Sequence, residues 1–443
     1  MARLLGSAWR PVAWSVVIVL SLLPFGAAAQ GLADLYSAAL SSNPNLKARE
    51  FGVERARAES DGARSRLLPQ VFADGEWSYN RQDDSGFDAQ TYDGKRTSFS
   101  ARQSLFDLPS YRRLEASKST ISQREQELTL TRSNLFDEML NRYLQALYAQ
   151  DEIDALASEV RATSRQVDRL RAMRERQMAK ITDLAEAEAY ALGLVTREIV
   201  ARNEKDTALA RLTELCGVPV TQVAPLLHTA YEPVNGGPNE RIGTAMRSNP
   251  RLMALTQAVD AARRMVEASR AEHLPQLSAG LSHIYSNTGF DNRRQPPYHS
   301  TSLGLELRVP LYEGGRVDAS VRDAAARLGS AEQELVAARR EIEREILTLW
   351  SSARANHARI GSTAAEVVAL ELTVLSQERA LELGVSRITD LLIARQRLLR
   401  SRAEHAKARY DYVRDVVALT TRTSELTAAD VALWDGWFDS RRR

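Results

Sequence analysis

The sequence predicts an α+β membrane protein, mostly α, built as an internal duplication from long coiled-coil helices and four amphipathic strands. Three observations carry this. Segments recur at one spacing: Ser42-Asn43-Pro44-Asn45-Leu46 returns 206 residues later as Ser248-Asn249-Pro250-Arg251-Leu252. Leu68-Pro69-Gln70 returns as Leu274-Pro275-Gln276, and Leu105-Phe106-Asp107 as Leu311-Tyr312-Glu313. Lys180-Ile181-Thr182-Asp183-Leu184 matches Arg387-Ile388-Thr389-Asp390-Leu391 at a spacing of 207. One register kept over so much chain means two copies of a unit of roughly 200 residues. The second observation is strict apolar/polar alternation in four short stretches, and the third is helical sequence of unusual length.

The chain has 443 residues, with 59 Lys and Arg against 57 Asp and Glu. Near-neutrality argues against a general nucleic-acid binder, which needs a basic face. Residues 1–29 read as a signal peptide: Arg3 and Arg10 precede the apolar run Val12–Leu23, and Ala27-Ala28-Ala29 supplies a small-residue cleavage site. That run is shorter than the ~20 residues of a membrane-spanning helix. The lone Cys216 lies far from the cleavage site, which leaves no N-terminal cysteine for lipidation and no internal disulfide.

The first half covers 30–215. A short amphipathic helix over 31–41 stops before Asn43-Pro44, and proline opens a second helix running to about Leu68. The period then changes to two. Over about 71–79, Val71, Ala73, Gly75, Trp77 and Tyr79 oppose Asp74, Glu76 and Ser78. After a polar loop with Asp83, Asp84, Gly86 and Gly94, the strand at about 98–106 sets Phe99, Ala101, Gln103 and Leu105 against Ser98, Ser100, Arg102 and Ser104. From Pro109 to Met178 neither proline nor glycine interrupts the chain. A wholly helical run of that length spans roughly 105 Å. Ile153, Leu156, Val160, Thr163, Val167 and Leu170 step by three and four along it, as a coiled-coil seam does. A break before Thr182-Asp183 starts a helix to about Leu215, and the Gly- and Pro-rich residues 216–240 form a bridge.

The second half, 241–425, repeats this order. Its strands fall at about 277–285 and 302–311. There Leu303, Leu305, Leu307, Val309 and Leu311 oppose Ser302, Gly304, Glu306 and Arg308. A long helix from about Gly315 to Leu383 is broken at Gly384, and a last one covers about Thr389 to Thr421. The tail, 426–443, holds Trp434, Trp437 and Phe438, expected to pack on a neighbouring helix, and closes on Arg441-Arg442-Arg443.

Strands apolar on one face and polar on the other suit a transmembrane β-barrel with lipid outside and water inside. Asp74, Glu76, Arg102, Glu306 and Arg308 would then face the lumen. Aromatics near the strand ends (Trp77, Tyr79, Phe106, Tyr111, Tyr285, Tyr312) suit an interfacial girdle. A soluble sheet on a core is the alternative, but little sequence outside the helices is left to supply one. Four strands cannot close, and open edges are not tolerated in lipid. The chain is therefore expected to oligomerise: two copies give eight strands and a filled interior, three give twelve and room for a lumen.

The Ser42-Asn43-Pro44 start, the strand entry Leu67-Leu68-Pro69-Gln70, Gln103-Ser104-Leu105-Phe106-Asp107 and Val309-Pro310-Leu311-Tyr312-Glu313-Gly314-Gly315 resemble the TolC family of outer-membrane channel proteins. The resemblance runs from about residue 31 to 425. It implies a homotrimer with a twelve-stranded outer-membrane barrel and a long α-helical barrel in the periplasm. It also implies a periplasmic adaptor (membrane fusion protein) and an inner-membrane transporter of the ABC or RND class, with drugs or unfolded polypeptide as cargo. It is closer to the type I secretion branch than to the lipidated efflux branch. No cofactor or metal is implied.

In that family the turns between the long helices form the periplasmic entrance. Lys180, Thr182 and Asp183, with Gly384, Arg387, Thr389 and Asp390, are the corresponding candidates here. Threefold repetition puts six carboxylates around one opening, favouring cations, while Lys180 and Arg387 bridge to carboxylates and hold closure. Simple helix capping explains the same Thr and Asp. The chain also departs from the family pattern: Ile393 stands where some members carry a second acidic residue, Leu381 where a latch tyrosine stands, and Gln177 where Gly384 keeps a glycine.

Two other classes fit the sequence less well. An enzyme finds no support: His228, His273, His283, His299, His357 and His405 are scattered, with no i,i+4 metal pair, phosphate loop or nucleophile motif. A non-pore periplasmic coiled-coil scaffold or adaptor would share the helices but not need four strands with lipid-type faces.

Overall fold

The computed structural model describes residues 30–438 except 84–85, 87, 228–231 and 290–292. The signal peptide over 1–29, Asp84, His228 and Arg441-Arg442-Arg443 lie outside the described residues. The order is α1 (Leu32–Ser42), α2 (Pro44–Ser65), β1 (Gln70–Gln82), β2 (Gln90–Phe106), α3 (Leu108–Glu175), α4 (Ile181–Cys216), α5 (Pro238–Ser248), α6 (Pro250–Ala271), β3 (Gln276–Thr288), β4 (Arg294–Arg308), α7 (Arg316–Glu382), α8 (Ile388–Thr423) and α9 (Ala428–Asp435).

The repeated Ser-Asn-Pro segments do the same work twice. The Asn43 carboxamide accepts the N–H groups of Asn45 and Leu46 at 3.0 and 3.1 Å, capping α2, while Pro44 takes the first helical position where no N–H is needed. Its Nδ2 donates to the Leu215 carbonyl at 3.3 Å, and Ser42 Oγ to that of Cys216 at 2.6 Å. Asn249 caps α6 in the same way and donates to the Arg422 carbonyl at 2.7 Å, and Ser248 to that of Thr423 at 3.3 Å. Each motif thus satisfies a helix start and ties it to orphan carbonyls at the far end of a long hairpin.

The four strands form one antiparallel meander in the order β1-β2-β3-β4, leaving β1 and β4 as edges. They run longer than the alternation suggested, except that β4 stops at Arg308. Val309 and Leu311 therefore lie beyond the strand, where Pro310 has no N–H for the ladder. Both faces of the sheet are open: Leu303, Leu305 and Leu307 are 80, 71 and 64% exposed. Among the described residues nothing covers these leucines, so the sheet rests on no core of its own there.

α3 and α7, of 68 and 67 residues, each span about 100 Å. Next to the sheet α3 packs on α2 and α6, and α6 on α7; further away α3 packs on α4 and α8, and α8 on α7. Ile153, Leu156, Thr163, Val167 and Leu170 of the expected seam are buried. The largest apolar cluster lies mid-length, where α1, α3, α4, α8 and α9 meet. The tail aromatics belong to it: Trp434 stacks on Phe136 with centroids 5.3 Å apart, and Phe438 meets Tyr143 edge-on at 5.0 Å.

Candidate functional site: the sheet face and the helix ends

Register decides which strand residues share a face. Asp74 is opposite Ser98, Glu76 opposite Arg96, Arg102 opposite Gly280, and Glu306 opposite Ser278, all on the face that also carries Gln276 and Arg308. The five charged residues expected to share a face therefore do so. Arg102 reaches Glu306 at 3.4 Å over the bare backbone of Gly280, and Arg308 reaches the other carboxylate oxygen at 3.4 Å. Arg66, Asp107 and Gln70 join these three around a 200 Å³ cavity at the sheet's helical end. Arg96 completes the charged set, and Phe72 intrudes on the same face opposite Ser100. Sequence reasoning passed over both, though alternation from Asp74 already assigned them there.

The opposite face carries Val71, Ala101, Leu281 and Leu303 in one row, with Ala279 and Leu305 in the next. Toward the loop end it turns aromatic and polar, with Trp77, Tyr79, Tyr285 and His299. Tyr111 and Tyr312 lie off the strands, in the first turn of α3 and the turn before α7.

At the other end of the molecule the two hairpin turns are near copies. α3 ends with Gln177 at φ 62° and α7 with Gly384 at φ 74°. Met178 N–H bonds to the Met173 carbonyl at 2.8 Å, and Val385 N–H to that of Ala380 at 3.0 Å. These are left-handed helix stops that satisfy terminal carbonyls. Lys180 and Arg387 are the N-cap residues of α4 and α8, so Thr182 and Thr389 lie one position inside the first helical residue rather than at the cap. Asp390 reaches back to the Arg387 backbone N–H at 3.3 Å, a true capping contact.

Lys180, Thr182, Gly384, Arg387 and Asp390 are exposed, and Asp183 and Thr389 half-buried. Among the described residues none of the four charged tip groups forms an ion pair within the chain. Beneath them Val167, Leu170, Ala187, Ile388, Leu391 and Leu392 make an apolar plug, and Leu381 packs against it. The tip therefore has an apolar floor under an exposed charged rim.

A sheet with an exposed leucine face, joined to helices three times longer than a bilayer is thick, defines an outer-membrane exit duct. The comparisons agree. The model of the outer membrane efflux protein family matches residues 35–218 and 242–423, one segment for each half. The chain belongs to the outer membrane efflux protein family. It is 29% identical over 446 residues to the alkaline protease secretion protein AprF of Pseudomonas aeruginosa, covering 96% of this chain and 90% of that protein. It is 25% identical over 408 residues to the outer membrane protein TolC of Vibrio cholerae, covering 91 and 92%. Among solved structures, the Campylobacter jejuni CmeC outer membrane channel superposes with a TM-score of 0.78 at 15% identity over 99% of both chains. The outer-membrane channel OprN does so at 0.76 and 18% identity, over 97 and 99%.

Proposed function

We propose that three copies of this chain assemble into one tube, a twelve-stranded barrel in the outer membrane continued by a periplasmic helical barrel. The observation that carries this is the open sheet: β1 and β4 are both unpaired edges, and the leucine face is exposed. Neither is stable in lipid until the edges pair with other copies. The helices support the same assembly. Leu192, Val195 and Ile199 on α4, and Val368, Leu372 and Leu375 on α7, form apolar stripes at three-four spacing that stay exposed among the described residues.

The sheet's charged face, with Asp74, Glu76, Arg102, Glu306 and Arg308, then lines the barrel lumen. Lys180, Thr182, Asp183, Gly384, Arg387, Thr389 and Asp390 ring the periplasmic entrance. Six carboxylates at the narrowest opening favour cations. The tube works with a periplasmic adaptor and an inner-membrane transporter. Two named relatives, AprF and the proteases secretion protein PrtF of Dickeya chrysanthemi, favour polypeptide secretion as the task.

Membrane fractionation of the native protein tests the assembly. The expected product is an outer-membrane oligomer that converts to monomer on heating. A soluble periplasmic monomer would return the coiled-coil scaffold to first place.

A further inference from the structure

Charge is not spread evenly over the leucine face of the sheet. From the helical end up to Phe99 on β2 and Leu303 on β4, no described residue of that face is charged. Above that level it turns basic and aromatic. Lys95 lies opposite Trp77, and Thr97, Tyr285 and His299 form one row across β2, β3 and β4. One row lower, His283 Nδ1 and Thr301 Oγ1 are 2.8 Å apart, which fixes that imidazole. The His299 ring sits 4.9 Å from Tyr285 and 5.8 Å from His283, centroid to centroid. Asn287 braces Lys95: its Oδ1 accepts the Lys95 N–H at 2.6 Å, and its Nδ2 donates to the Asp93 carbonyl at 2.9 Å. Lys95, His283 and His299 are all exposed.

Height explains the change. Lys95 stands ten residues along β2 from Leu105. At about 3.3 Å per residue and the ~40° tilt of barrel strands, that is roughly 25 Å along the membrane normal, the whole apolar band. The basic rim therefore sits at headgroup level, where charge on the lipid face is no longer costly. The helices occupy the periplasm, so these are the headgroups of the outer leaflet. Lys95 and His299 are two strands and two residues apart, about 12 Å, close to the length of a disaccharide. Between them lie Thr97, Tyr285 and Asn287, whose hydroxyl, ring and carboxamide groups suit a sugar. Among the described strand residues Asp93 is the one acid on this part of the face, and Arg81, diagonal to it on β1, keeps the balance basic.

We infer that this rim is a seat for a phosphorylated glycolipid of the outer leaflet. Lys95 takes the phosphate at one end of its disaccharide, and His299 with His283 the phosphate at the other. Tyr285 covers the sugar between them, and Trp77 flanks Lys95. Charge-assisted bonds to phosphate are the strong contacts of such a site. Two separated basic positions with an aromatic floor between them fit a sugar bearing two phosphates better than a glycerophospholipid bearing one. The inference rests on the tube reading above and adds the lipid partner of its barrel.

Binding of purified lipopolysaccharide to the detergent-solubilised protein, followed by native mass spectrometry and by the rise in unfolding temperature, tests it. The wild type should retain the glycolipid, and Lys95→Ala combined with His299→Ala should bind it at least roughly tenfold more weakly. Arg96→Ala removes a positive charge one residue away on the opposite face and should bind as the wild type does. Dephosphorylated lipopolysaccharide, phosphatidylglycerol and inorganic phosphate should each bind the wild type more weakly. Lys95→Gln and His299→Gln, singly and each with a severalfold loss, carry the test if the double variant does not assemble. Equal binding by the wild type and these variants would overturn the seat. So would an equal loss in Arg96→Ala, which would reduce the effect to net charge, or phosphatidylglycerol or inorganic phosphate binding as tightly as the glycolipid. A wild-type protein recovered as a soluble monomer would instead remove the tube reading, and the seat with it.

Discussion

Gln177 and Gly384 occupy the same place in the two halves, each ending a helix of nearly 70 residues in the left-handed conformation, at φ 62° and 74°. Only one of them is a glycine. A side chain in that conformation costs roughly 1–2 kcal/mol, so the first hairpin carries strain that the second lacks.

Gln177→Gly is accordingly expected to raise stability by about 1 kcal/mol, the relief of strain being offset in part by the entropy of glycine in the unfolded chain. Gly384→Gln should cost a similar amount. Thermal unfolding of the two variants in detergent checks the pair of signs.

The Ser-Asn-Pro junctions give a second expectation. Asn249 is 3% exposed and satisfies both a helix start and the carbonyl of Arg422. Loss of the cap and of that buried bond in Asn249→Ala should cost about 2 kcal/mol. Asn43→Ala, with its longer 3.3 Å bond to Leu215, should cost less. Unfolding midpoints in denaturant would show whether the order holds.

Asp151 of α3, half-buried, accepts the Tyr410 hydroxyl at 2.6 Å, and its partial burial pushes its carboxyl above the usual aspartate range. A raised folded pKa means the folded state binds the proton more tightly. This contribution to stability is full below the unfolded value, about 3.9, and is lost as pH rises through the folded one. Asp151→Asn should remove that decline, so the stability difference between variant and wild type grows in favour of the variant as pH rises to neutrality. A pH-independent difference would show that Asp151 titrates alike folded and unfolded.

At the tip, Asp183→Ala with Asp390→Ala should weaken block by multivalent cations and reduce cation preference. Reversal potentials across a salt gradient measure both. Unchanged values would leave these carboxylates as helix-start residues only.

Most of the fold was legible because it is periodic. Alternation from Val71 to Tyr79 and the seam from Ile153 to Leu170 each fix a face, and the duplication let the cleaner second copy interpret the first. β4's end was misplaced because Leu311 continues the apolar alternation although Pro310 cannot continue the ladder. The tip motifs were visible as a repeat, but their capping geometry was not, since Lys180 and Arg387 are unusual cap residues. Arg395 of α8, buried and paired with Glu378 and Glu159, left no signal at all. One arginine among many on an amphipathic helix becomes distinct only when Glu159, 236 residues away, closes on it.

Three chains making one continuous tube would conduct ions across a membrane. The most direct measurement is conductance of the purified protein in a planar bilayer, with its mass in detergent. A trimer with small, cation-selective conductance is the predicted result, the tube being closed at its periplasmic end. A monomer that conducts nothing would contradict it and leave the four strands without a barrel.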